Sequence, residues 1–73
     1  MLRRILRLPQ VVDATGETRS TIYKRIAEGE FPRPVKLGAK SVGWVEDEIA
    51  AYNEKRITMR DAEVRRKEVL NAA

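Results

Sequence analysis

The sequence predicts a mainly helical fold with a small β-hairpin. Apolar residues recur at helical spacing in residues 8–29 and again in residues 45–56, and both segments carry residues that begin or end helices. Between them, from Val35 to Trp44, the apolar residues alternate with other residues, which is typical of strands. The chain has 73 residues, enough for one small core. We therefore expect one domain over residues 1–56, followed by a charged C-terminal helix or tail over residues 57–73.

Residues 8–29 predict two short helices joined by a tight turn. Pro9 suits the first position of a helix, and Gly16 can adopt the left-handed conformation that ends it. Thr18 then offers a side-chain oxygen to cap the second helix. Ile22 and Ile26, four residues apart, would pack on the first helix. This pattern is typical of a helix-turn-helix unit whose second helix reads DNA.

The second helix is expected to turn polar and basic side chains to the solvent. Cationic side chains there can bind guanine O6 and N7 or phosphates, and hydroxyl groups can contact either. The positive helix N-terminus also favours a phosphate nearby. The candidate DNA-binding residues of this helix are Arg19, Ser20, Thr21, Tyr23 and Lys24.

A hairpin is predicted around the loop at residues 38–41. Val35 and Leu37 share one face of its first strand, and Val42 and Trp44 share one face of the second. Because an isolated hairpin is marginal in water, we expect its apolar face to lie on the helices, with Trp44 in the core. Gly43 inside a strand predicts the close approach of a neighbouring group.

Three cations of this hairpin region are further candidate DNA-binding residues. Lys36 is expected on the outer side of the hairpin, Lys40 at its tip, and Arg33 just before it. A basic hairpin beside a recognition helix can follow the phosphate backbone or enter the minor groove.

The segments flanking these elements supply further core residues. Residues 5–8 are compatible with a short strand or with a frayed terminus, and Leu6 and Leu8 are the expected core members in either case. Gly29 fits a helix end, and Phe31 is expected to fold back into the core just beyond it.

A third helix is predicted from Val45 to Arg56. Val45, Ile49 and Tyr52 form its buried stripe, and three acidic residues in its first turn match the helix dipole. Dipole matching accounts for these acids better than metal binding or acid–base chemistry. A new helix is expected to start near Thr58, with a thin apolar stripe that includes Val69 and Leu70. We favour its packing against another copy of the chain over disorder.

Several functional classes are excluded by composition. The chain has no cysteine and no histidine, so disulfides, thiol chemistry and the usual zinc sites are excluded. Its four glycines form no phosphate-binding loop, and neither Ser20 nor Ser41 has a base beside it. We therefore expect no enzymatic activity, no metal and no cofactor.

Hydropathy predicts a soluble protein, and the modest positive charge permits a polyanionic partner. No apolar run is long enough for a secretory signal or a membrane span, so we expect a cytoplasmic protein without a membrane partner. A net charge of +4 permits binding to double-stranded DNA. The alternative is a helix-turn-helix module that binds protein and not DNA.

Several blocks of the sequence resemble, in order and spacing, the AlpA family of small phage and prophage regulators. These blocks are Arg7–Val11, Thr15–Tyr23, Gly29–Gly38, Val42–Trp44 and Glu48–Ile49. The resemblance implies a winged helix-turn-helix fold related to excisionases and MerR-type DNA-binding domains. It places the DNA-reading helix at Thr18–Ala27 and the wing at Val35–Trp44, and it assigns no role to the chain beyond Ile57.

The resemblance also implies a function and partners. The expected activity is sequence-specific binding of double-stranded DNA, either as a transcriptional regulator of a prophage or mobile element or as an excisionase-type recombination directionality factor. A monomer this small reads few bases, so a homodimer or adjacent copies on repeated sites are expected. Integrase and RNA polymerase are the candidate protein partners.

Overall fold

The computed structural model describes the backbone of residues 2–72 and the side chains of residues 2–67. Its elements follow the order β1, α1, α2, β2, β3 and α3. The strands are β1 (Ile5–Leu6), β2 (Val35–Lys36) and β3 (Val42–Val45), and the helices are α1 (Leu8–Thr15), α2 (Arg19–Ala27) and α3 (Glu46–Ala72). The fold is a winged helix-turn-helix, as predicted: helices α1 and α2 form the helix-turn-helix, and β2 and β3 form the wing.

The two short helices end where the sequence predicts. Gly16 follows α1 with a φ of 72°, and the hydroxyl oxygen of Thr18 accepts a hydrogen bond from the Thr21 amide at 3.2 Å. At the other end of α2, Gly29 has a φ of 76° and the Glu30 amide donates to the Arg25 carbonyl at 2.8 Å. These bonds satisfy backbone groups that a helix end otherwise leaves unpaired. Pro9 is the second residue of α1 and not the first.

Strand β3 is the centre of a three-stranded antiparallel sheet with the order β1-β3-β2. Ile5 pairs with Val45 and Leu6 with Trp44, so the predicted N-terminal strand forms. On the other side of β3, Val35 pairs with Gly43 and Lys36 pairs with Val42. The N-terminal arm is therefore part of the sheet and holds the wing to the body of the domain.

This register corrects the predicted orientation of the first wing strand. Paired residues of antiparallel strands project to the same face, so Lys36 shares the face of Val42 and Trp44 that packs on the helices. Val35 and Leu37 project to the other face and are 42% and 46% exposed. The sequence showed which residues alternate but not which strand positions pair, and a shift of one residue exchanges the faces.

Gly43 lies where the sheet leaves no room for a side chain. A Cβ atom at this position would collide with Ile5 Cγ2, and it would lie 3.0 Å from the Leu6 carbonyl oxygen and 3.1 Å from Leu37 Cδ1. The predicted close approach is therefore confirmed.

One apolar core joins the sheet to all three helices. Trp44 and Ile22 are fully buried, and the Trp44 indole N–H donates to the Pro32 carbonyl at 3.0 Å. Leu8 and Ile26 are partly buried against this core. The buried hydrophobic residues are Leu6, Val11, Ile22, Phe31, Trp44, Ile49 and Tyr52.

Helix α3 differs from its prediction at both ends. Val45 belongs to β3, so α3 begins at Glu46, and no new helix starts at Thr58 because α3 continues to Ala72. No glycine or proline lies beyond Gly43 to interrupt it, and the propensity cost of Ile57 and Thr58 is only a few tenths of a kcal/mol. Val69 and Leu70, predicted on an apolar stripe, lie outside the described side chains.

Candidate nucleic-acid interface

The exposed side of α2 carries four of the five residues of this helix that were predicted to bind DNA. Successive residues are separated by about 100° around a helix axis, so these exposed positions fall on one continuous face. Ile22, on the opposite side, is fully buried and fixes this orientation. We call this face the reading surface, and its members are Arg19, Ser20, Tyr23, Lys24 and Ala27.

Arg19 and Tyr23 contact each other on the reading surface. The guanidinium carbon of Arg19 lies 5.9 Å from the centre of the Tyr23 ring, a cation–π arrangement. Tyr23 is 40% exposed, and its ring also meets the buried indole of Trp44 edge-on, with centroids 6.4 Å apart. A chain of contacts therefore runs from the core to a cation at the start of α2.

Thr21 and Lys24 lie beside each other at the edge of the reading surface. Both line a depression of about 290 Å³ that also includes Arg25, Glu28 and Glu30. Thr21 is half-buried, and its hydroxyl oxygen accepts a hydrogen bond from the Thr18 hydroxyl at 3.0 Å. Thr21 therefore belongs to the helix cap as well as to the candidate interface, whereas Lys24 is exposed.

The cations predicted on the wing are exposed, but they do not share one face. Lys40 lies in the loop between β2 and β3, and Arg33 precedes β2. Lys36 was expected on the outer side of the hairpin, and this is wrong because its partner Val42 places it on the helix-facing side. Lys36 nevertheless stays exposed, since β2 is an edge strand of the sheet.

A buried carboxylate in the turn between α1 and α2 was not predicted from the sequence. Glu17 is only 8% exposed, and its Oε1 accepts a hydrogen bond from the Tyr52 hydroxyl at 2.7 Å and forms an ion pair with Arg56 Nη1 at 3.0 Å. Its other oxygen, Oε2, lies 3.4 Å from Arg25 Nε. We call Glu17, Arg25, Tyr52 and Arg56 the Glu17 cluster. It joins the helix-turn-helix to α3.

Backbone contacts reinforce this junction. Arg56 Nη1 also donates to the Thr15 carbonyl at 3.1 Å, and Asn53 Nδ2 donates to the Ala14 carbonyl at 3.1 Å. Within the turn, the Glu17 amide donates to the Thr15 hydroxyl oxygen at 3.3 Å. The last two backbone carbonyls of α1 therefore accept hydrogen bonds from side chains of α3.

Burial changes the acidity of Tyr52. Its desolvation and its hydrogen bond to Glu17 raise the pKa of Tyr52, against an opposing effect of Arg25 and Arg56. Its ring also packs on Phe31, with centroids 4.6 Å apart. The phenol is therefore neutral at ordinary pH and acts as a hydrogen-bond donor.

Only one feature of the sequence points to the Glu17 cluster. Tyr52 and Arg56 are four residues apart and so share one face of α3. Their partner Glu17 lies 35 residues before Tyr52, a separation that no local pattern reveals.

The described residues hold no group of three or more acidic side chains arranged to bind a metal ion. None of the helices in residues 2–72 is long and apolar enough to span a bilayer.

Comparison with known proteins identifies the family. Over residues 4–57 the chain matches the family described as "Prophage CP4-57 regulatory protein (AlpA)". It is similar to "Uncharacterized protein ORF88" of Enterobacteria phage P4, with 47% identity over 57 residues that cover 78% of this chain and 65% of that protein. The chain thus spans just under two thirds of the length of the phage protein.

A second relative carries a functional name. The chain is similar to "DNA-binding transcriptional activator AlpA" of Escherichia coli (strain K12), with 48% identity over 52 residues that cover 63% of this chain and 74% of that protein. No solved structure matches. Since the family match extends from the N-terminal arm through the Glu17 cluster, this chain belongs to the AlpA family of prophage regulatory proteins.

Proposed function

We propose that this protein binds double-stranded DNA and regulates genes of a prophage or related mobile element. In this proposal α2 enters the major groove with the reading surface toward the bases. The observation that carries it is the division of α2 into a buried side at Ile22 and an exposed side with Arg19, Ser20 and Lys24. Recognition helices contact base edges from such a surface.

The wing supplies a second contact in this proposal. Lys40 at its tip and Arg33 before it are exposed cations that can neutralise phosphates beside the groove. Lys36 contributes from the edge of the sheet. The relative named as a DNA-binding transcriptional activator supports the same function.

Site selection in this proposal requires more than one copy of the chain. The reading surface offers few side chains to base edges, and specific sites must compete with a large excess of other sequences. We propose that the protein acts as a homodimer or as adjacent copies on repeated half-sites in the cytoplasm, without catalytic activity.

Two regulatory roles follow from DNA binding. As a transcriptional regulator, the protein would recruit or block RNA polymerase. As an excisionase-type recombination directionality factor, it would bend the attachment region and assist integrase. Deleting the gene and measuring both excision of the linked element and integrase transcript levels separates the two roles: loss of excision at unchanged transcript levels supports the second role and contradicts the first.

A mobility-shift assay on genomic fragments at two salt concentrations tests DNA binding itself. Displacement of counterions should make the affinity fall steeply as the salt concentration rises. A protein-interaction module that keeps the helix-turn-helix shape would show no binding to these fragments. That result would reject the proposal.

A further inference from the structure

The Glu17 cluster occupies a position from which it can set the orientation of the reading surface. Glu17 directly precedes Thr18, the residue that caps α2. One of its oxygens accepts a hydrogen bond from Tyr52 and pairs with Arg56, both on α3, and the other oxygen faces Arg25 on α2. A single buried carboxylate therefore contacts the reading helix and its support at the same time.

Arg25 lies on the side of α2 that faces away from the reading surface. At about 100° per residue, Arg25 is about 200° around the axis from Tyr23. Loss of the Arg25 contact would release the side of α2 opposite the reading surface and allow the helix to rotate. Side-chain tips lie about 5–6 Å from the helix axis, so a rotation of about 20° displaces them by about 2 Å. This displacement is enough to break hydrogen bonds to base edges.

The contact between Glu17 and Arg25 depends on the negative charge of the carboxylate. Glu17 Oε2 and Arg25 Nε lie 3.4 Å apart, and neither atom has a hydrogen-bond partner among the described residues. The two atoms are therefore held together by charge and not by a directional hydrogen bond. Without the carboxylate charge, Arg25 and Arg56 would lose the counter-charge they share, and because their side chains are 40% and 46% exposed the main effect would be a weaker attachment of α2 to α3.

We propose that Glu17 is the positioning residue for DNA recognition, acting through Arg25 on the reading helix while Tyr52 and Arg56 anchor it to α3. This inference rests on the proposed DNA binding. Glu17 itself is buried and makes no contact with DNA in this arrangement. Its replacement should reduce discrimination between sequences and leave the attraction to phosphates intact.

The test compares two DNA duplexes. One is selected from a random pool by the wild-type protein, and the other is a scrambled duplex of the same composition. Glu17→Gln keeps the side-chain size and removes the charge. We expect the ratio of the two affinities to fall about tenfold, comparable to the loss of one base contact. The slope of affinity against salt concentration should stay unchanged, because no cation is removed.

A purely structural role predicts a different result. Loss of folded protein lowers both affinities equally and leaves their ratio unchanged. Ile49→Val is the matched control: it truncates a buried residue of α3 outside the cluster, so it should lower the melting temperature while keeping the ratio. A Glu17→Gln protein that is folded and keeps the wild-type ratio would overturn the inference.

A second variant keeps the test decisive if Glu17→Gln does not fold. Tyr52→Phe retains the ring and removes only the donor to Glu17. We expect the ratio to fall about threefold, a smaller loss because the Glu17 carboxylate keeps its ion pairs with Arg25 and Arg56; an unchanged ratio contradicts the inference. A wild-type protein that selects no duplex at all refutes the proposed function instead, so the two failures are distinguishable.

Discussion

The ring of Tyr23 meets the indole of Trp44 edge-on, with centroids 6.4 Å apart and an angle of 68° between the rings. Tyr23 belongs to the reading surface, and Trp44 belongs to the wing strand and is fully buried. The contact therefore joins the two parts of the candidate interface to one core. Edge-on aromatic pairs of this kind add about 0.5–1.5 kcal/mol beyond their burial.

Trp44→Ala should destabilise the protein by about 3–5 kcal/mol, because it leaves a cavity where the sheet packs on the helices. A domain of this size has only about 5–15 kcal/mol of total stability. Urea unfolding followed by circular dichroism measures the loss. Trp44→Phe is the control that refills part of the site, and a loss under about 1 kcal/mol for Trp44→Ala would contradict the assigned packing.

Gly43→Ala should destabilise the sheet by about 1–3 kcal/mol, since the new methyl group collides with Ile5 and crowds the Leu6 carbonyl. Gly38→Ala is the matched control, because no atom lies within 4 Å of a Cβ atom at that position. Thermal unfolding of both variants checks the difference. Equal melting temperatures for the two variants would show that β1 does not pair with β3 as described.

The stability that Tyr52 contributes should disappear at alkaline pH. Its raised pKa means that the folded state favours the neutral phenol. The contribution is therefore fully present below the unfolded-state pKa of about 10, and it is lost as the pH rises through the higher folded-state pKa. Tyr52→Phe has no titrating group, so the free-energy difference between wild type and variant should shrink above about pH 10.

Urea unfolding at several pH values measures this difference. Near neutral pH the variant should be less stable by about 1.5–3 kcal/mol, the usual value for a hydrogen bond to a charged group. The prediction fails if the difference is constant or grows as the pH approaches about 11.

Lys40→Ala should weaken binding to all DNA sequences by a similar factor, because a wing-tip cation contacts phosphates and not bases. The slope of log affinity against log salt concentration should decrease by about 1. Titration of selected and scrambled duplexes at several salt concentrations measures both quantities. A change in the preferred sequence would instead assign Lys40 to base recognition.

The predictions that succeeded depend on neighbours in the sequence. Gly16 and Thr18 end one helix and begin the next through bonds to residues at most four positions away. The reading surface could be predicted for the same reason, because it follows from helical spacing around Ile22. The assignment of these residues to DNA contacts stays a prediction.

Two features missed from the sequence depend on contacts between distant residues. The face occupied by Lys36 is set by its pairing with Val42, which alternation alone does not reveal. No role for Glu17 could be predicted, since its partners on α3 lie far along the chain. The break predicted at Thr58 has a local cause instead. It rested on a capping pattern, but the residues around Thr58 form helix readily, so the helix continues through it.

The most direct test of the central claim is the effect of Lys24→Glu on binding to a duplex selected by the wild-type protein. Lys24 is exposed on the reading surface, so the variant should keep the wild-type melting temperature and lose detectable binding. Lys55→Glu makes the same charge change at an exposed position of α3 and should bind almost normally. A folded Lys24→Glu protein with wild-type affinity would show that α2 does not face DNA as proposed.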